Sequence, residues 1–152
     1  PHRYHLCPDT PAQSLVEQLR WGSPTARTQD RVKAALRNLR RLHDAGVGVA
    51  AGSDAGNIGT LHGPALHREL ELMARSGLTA HEVIIAAARG GAAVMGRDDL
   101  GTLRPGSRAD LVVLDADPLA DIRNTRRIHL VVSDGVPFDP DARVPGQRAR
   151  AP

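Results

Sequence analysis

Aromatic side chains are nearly missing from this 152-residue chain, which has one Trp, one Tyr and one Phe. A surface that binds nucleic acid by stacking needs such rings interleaved with its basic residues. The arginine-rich end "ARVPGQRARAP" therefore carries charge without a stacking platform. It also lacks the helical period that would enter a groove, so residues 138–152 read as a solvated, disordered tail with no nucleic-acid partner. Cysteine occurs once, at Cys7, which excludes an internal disulfide framework and any zinc-finger spacing and fits a reducing cytoplasm. No run approaches the ~18 apolar residues of a membrane span, and no charged-then-apolar leader is visible. A charge excess is missing too: 20 basic residues stand against 17 acidic ones, a net charge of +3. A protein without membrane contact, cytoplasmic in location, is the expectation.

What the sequence does have is a change of pattern along its length. Residues 1–24 are rich in turn formers (Pro1, Pro8, Pro11, Gly22) and read as irregular loop with one short helix in "AQSLVEQLR". From residue 25 the spacing of Val32, Ala35, Leu36, Leu39 and Leu42, with arginines between, predicts an amphipathic helix that Gly46 ends as a left-handed cap. "VGVAAGSD" follows, β-branched at alternate positions and lined with Gly and Ala, and reads as a buried strand of a parallel α/β structure. "GPALHRELELMARSG" places Leu66, Leu70 and Met73 on one helical face. "LTAHEVIIAAARGGAAVMG" opens with Thr79 and Glu82 at capping-box spacing. After the Pro105-Gly106 turn the period becomes that of strands, in "ADLVVLDADP" and "RIHLVVSDGVPF". Asp134-Gly135 is a hairpin signal, and Pro137 interrupts a ladder position in any strand after it. An α/β part over 25–99 and a β-rich part over 100–137 imply two architectural parts joined.

Asp54 ends the expected buried strand, behind Gly52 and Ser53 and ahead of a glycine-containing loop. α/β barrels place metal ligands and general bases at strand ends of this kind; a carboxylate there can equally cap a turn. His62 lies in "LHG", just before a helix, where a neutral imidazole can meet a substrate oxygen or a metal, or simply bond at the surface. His67, Glu69 and Glu71 follow on that helix, and Glu69 shares a side with His62 if the helix reaches back that far. Glu71 and His67 read as solvated, as do His43, His81 and His129. His2 and His5 form an H-x-x-H pair without a third ligand nearby. Asp115 and Asp117 lack the other oxygens of a calcium loop and read as the end of a strand.

Three separated stretches together resemble one family: "HDAGVGVAAGSDAGN", then "HG" with "RELELMARSGLTAHEVIIAAA", then "LGTLRPGSRADLVVLDADPLADI" with "VVSDG". They look like the C-terminal portion of a metal-dependent amidohydrolase, of the branch with imidazolonepropionase-like and Xaa-Pro dipeptidase-like enzymes. The resemblance implies that residues 25–99 are the C-terminal part of a (β/α)8 TIM-like barrel, with residues 47–53 its eighth strand. It implies further that residues 100–137 are strands of a small composite β-sandwich. Asp54 matches the strand-end aspartate that binds a metal ion and shuttles the proton of the attacking water, and His62 would face the substrate. The implied cofactor is a divalent metal, zinc, as one or two ions. The implied reaction is hydrolysis of a carbon–nitrogen bond in a small-molecule amide, peptide or cyclic amide.

The remaining ligands expected of such a site are not in this chain. No H-x-H occurs in it, and Lys33, its only lysine, sits on an arginine-rich helix face. A catalytic zinc takes three protein ligands, and a complete barrel takes about 250 residues. The opening Pro1 likewise suggests sequence upstream. The expectation is a C-terminal fragment, inactive alone, that works with a missing N-terminal half or as a homo-oligomer. The alternative is a non-catalytic module that binds a partner chain through the open barrel edge.

Overall fold

The computed structural model describes residues 26–56 and 60–138. The expected helix in "AQSLVEQLR", Cys7, the His2/His5 pair and the expected tail from residue 139 onward lie outside them. By contact the chain divides into residues 1–35 and 36–152; of the first, only the opening turns of one helix are described. The described residues form a mixed helix-and-strand fold, and none of their helices is long and apolar enough to cross a membrane.

Helix α1, Ala26–Asp44, stops where the sequence says it must. Gly46 has φ +78, its N–H donates to the His43 carbonyl at 2.9 Å, and Val47 N–H reaches back to Leu42 at 3.0 Å. These two bonds satisfy carbonyls that the last turn leaves without partners. The expected apolar stripe is only partly covered: Leu36 and Leu39 are half-buried, whereas Val32 and Leu42 are exposed.

Residues 47–53 differ from expectation, because they are not an assigned strand. A strand exists only where a neighbour supplies a hydrogen-bond ladder, and among the described residues none pairs with this run. What holds it instead is a helix. Ala51 N–H donates to the Ala86 carbonyl at 3.1 Å, and Val49 and Ala51 pack on the core. A Cβ built on Gly90 would stand 2.4 Å from the Val49 oxygen.

That helix is part of a longer unit. Helix α2, Pro64–Arg75, buries Leu70 and Met73, while Leu66, expected beside them, is 40% exposed. Helix α3, Ala80–Ile85, starts at Thr79 with both capping-box bonds present: Glu82 N–H donates to Thr79 Oγ1, and Thr79 N–H to Glu82 Oε2. The helical path then widens into a π turn over Ala86–Gly90 and tightens again as α4, Gly91–Val94. π turns occur mostly as single widened turns within α-helices, and this one starts at Ala86, whose carbonyl takes the Ala51 N–H. Gly101 presses on the same turn, at φ +71, with its notional Cβ 2.5 Å from the Ala88 oxygen. Leu70, Met73, Leu78, Val83, Ala86 and Ile122 form the core around it.

The β-rich part is one antiparallel sheet of order β1-β2-β3. β1 is Leu111–Leu114, β2 Ile128–Ser133 and β3 Val136–Phe138. Leu111 pairs with Val132, and the register shifts between Val113 and Leu114. Asp134 (φ +52) and Gly135 (φ +78) make the hairpin turn, both left-handed as a type I′ turn requires. Pro137 is tolerated opposite Val132 because β3 is an edge strand. A second layer for the expected sandwich is not among the described residues.

A 3₁₀ turn at Ile122–Arg126 joins the sheet to α2. Glu71 is not solvated as expected: Arg126 donates to its Oε1 at 2.8 and 3.0 Å, and Arg68 to its Oε2 at 3.0 Å. His67 is half-buried, 3.0 Å from Thr125 Oγ1. Thr125 gives its only hydroxyl proton to the Ile122 carbonyl, so in this arrangement His67 Nδ1 is the donor.

Two neighbouring glycines test the helix contact with opposite signs. Gly91 shares the helical backbone of Gly90 but has open space at its Cβ. Gly91→Ala is expected to stabilise the chain by about 0.5–1 kcal/mol through helix propensity. Gly90→Ala is expected to cost about 2 kcal/mol from overpacking against backbone; both are read in urea unfolding.

The Glu71 clasp has a pH signature. Hydrogen bonds from Arg126, and then from Arg68, hold the Glu71 carboxyl below its ordinary value of 4.5 despite some desolvation. A depressed folded pKa gives stability that is present above pH 4.5 and lost as the pH falls through the folded value. Arg126→Leu should therefore raise the Glu71 pKa in a carboxyl NMR titration and lower stability at pH 7 more than at pH 3.

Candidate functional site

Asp54 follows the run that the π turn anchors. Its φ of +48 places it in the left-handed region, where among the described residues only one other non-glycine residue, Asp134, is found. Asp enters this region more cheaply than most side chains, at a cost of order 1 kcal/mol. Gly56 continues the turn at φ +108, and its N–H donates to the Thr60 carbonyl at 3.1 Å. The backbone thus doubles back on itself straight after Asp54.

His62 lies close to Gly56. Its Nε2 lies 3.8 Å from the point a Cβ on Gly56 would occupy. Both Asp54 and His62 are exposed. His62 sits in a turn and α2 begins at Pro64, so the helix does not reach back to it and Glu69 does not share a helical face with it. Gly63, at φ +85, sets the abrupt entry into α2. Among the described residues no group of three or more His, Cys, Asp and Glu is placed to hold a metal ion. The described donors therefore do not make a complete site for a zinc ion, which needs three protein ligands.

A cleft of about 340 Å³ opens beside Ser53. Its apolar lining is Leu61, Pro64, Ala65 and Leu72, and its polar lining is Ser53, Thr60, Arg68 and Glu69. Four of these residues, Ala65, Arg68, Glu69 and Leu72, recur at helical spacing along α2. Glu69 is half-buried, and desolvation alone pushes its carboxyl above the ordinary 4.5. Two positions on, Glu71 shifts the other way because arginines reach it. The sequence reading did not pick out Glu69 for this role; the available signal was a charged pair interrupting an otherwise apolar stripe.

Comparison with known proteins gives the chain a family. The sequence profile of the amidohydrolase family matches residues 8–137. An imidazolonepropionase of Rhodococcus jostii is 38% identical over 116 residues, 73% of this chain and 28% of that protein. One from Cutibacterium acnes is 44% identical over 78 residues, 51% of this chain and 19% of its own length. The chain therefore spans well under a third of these relatives. Among solved structures, a Xaa-Pro dipeptidase with methionine bound in its active site superposes with a TM-score of 0.62 at 27% identity, over 68% of this chain and 25% of that one. Molinate hydrolase gives a TM-score of 0.62 at 28% identity, over 75% and 29%. With most of its length inside the family profile, this chain belongs to the amidohydrolase family.

Proposed function

We propose that these residues form the C-terminal part of a hydrolase that cleaves carbon–nitrogen bonds in small amides, peptides or cyclic amides. In this reading residues 25–99 are the closing portion of a distorted barrel, and residues 100–137 contribute to a composite β-sandwich. Asp54 takes a proton from the attacking water and returns it to the leaving nitrogen, and His62 faces the substrate. One carboxylate suits both steps, since the nitrogen leaves as an amine only once it is protonated. Asp54 also furnishes one ligand of a divalent cation, zinc, whose other ligands lie outside the described residues. Such an ion, when bound, makes water a nucleophile near neutral pH.

The observation that carries the reading is the placement of Asp54. It is held in a left-handed conformation at the end of an anchored run, with His62 close to Gly56. Backbone strain of this kind concentrates at functional sites.

The test replaces the matching segment of a full-length imidazolonepropionase relative by residues 26–138 and compares the active chimera with its Asp54→Asn form. Turnover should fall at least about 100-fold, the usual worth of a general acid–base group, with the circular dichroism unchanged. Turnover within a few-fold of the parent chimera would remove Asp54 from the mechanism.

A further inference from the structure

Glu69 stands out because no protein group among the described residues pairs with it although it is half-buried. Among the described residues its carboxylate has no hydrogen bond and no ion pair, although it is half-buried in the lining of the cleft beside Ser53. The neighbouring cation does not serve it: the Arg68 guanidinium turns along the helix to Glu71, 3.0 Å away. A desolvated, unpaired carboxylate costs free energy unless a donor or a positive charge meets it. Besides Arg68 and Glu69, the cleft is lined by two hydroxyls, Ser53 and Thr60, and an apolar wall of Leu61, Pro64, Ala65 and Leu72. A volume of about 340 Å³ is at the small end of ligand sites and suits a molecule of amino-acid size.

We infer that Glu69 is a specificity residue that receives a positively charged nitrogen group on a small substrate with a short apolar body. As to substrate, this rests on the hydrolase reading above; the cation site itself does not. Leu61, Ala65 and Leu72 take the apolar body, the Ser53 and Thr60 hydroxyls meet polar atoms beside it, and the carboxylate of Glu69 pairs with the charge. A bound cation also removes the penalty that now raises the Glu69 pKa, so binding and titration are coupled.

The experiment uses the full 152-residue chain with carboxyl-labelled glutamate and two probes of one shape, propylguanidinium and its neutral isostere propylurea. The expected result is at least a tenfold preference for propylguanidinium, with the Glu69 carboxyl resonance titrating at lower pH when the probe is bound. Glu69→Gln should abolish the preference, and Glu69→Asp should retain part of it. Equal binding of the two probes, or a preference that survives Glu69→Gln, overturns the inference. A preference that behaves as expected, beside a chimera whose turnover ignores Asp54→Asn, keeps the cation site and discards the hydrolase reading.

Discussion

The contact between an extended run and a widened helix organises this chain. Residues 49–51 approach the π turn so closely that Gly90 has no room for a Cβ, and Ala51 bonds to the carbonyl of Ala86. Gly101 presses on the same turn through Ala88. A buried amide without a partner is costly; here the helix supplies a partner that no neighbouring strand provides among the described residues. The position of Asp54 follows, because it lies three residues beyond this bond.

Electrostatics on α2 divides by what each acid can reach. Glu69 and Glu71 are two residues apart and so project in different directions. One meets Arg68 and Arg126 and joins the helix to the 3₁₀ turn; the other meets none and lines a cleft. The same residue type thus supports the fold at one position and leaves unspent binding capacity at the next.

Much of this was legible in the sequence where local chemistry decides. Thr79 and Glu82 announced a capping box, Gly46 a helix end and Asp134-Gly135 a hairpin, each because a short stretch of backbone has few ways to satisfy its polar groups. Residues 47–53 had the composition of a buried strand, yet pairing depends on neighbours that composition cannot specify. Glu71 looked solvated because Arg126, its partner, is 55 positions away. For the candidate site, Asp54 and His62 were singled out from their motifs, whereas the closeness of His62 to Gly56 is a feature of the structure. Glu69 was not, since the cleft it lines is completed by Ser53, Thr60 and Leu61 from outside its own helix.

The hydrogen bond at Ala51 also makes residues 52–54 a lever with one fixed end. With at most about 3.3–3.6 Å of reach per residue, the tip at Asp54 stands within about 10 Å of its pivot. A tilt of about 3° there displaces the carboxylate by up to about 0.5 Å, the whole tolerance of a working catalytic geometry. The anchor consequently sets where the arm begins, whereas its aim is governed by whatever braces Gly52 and Ser53 from the side.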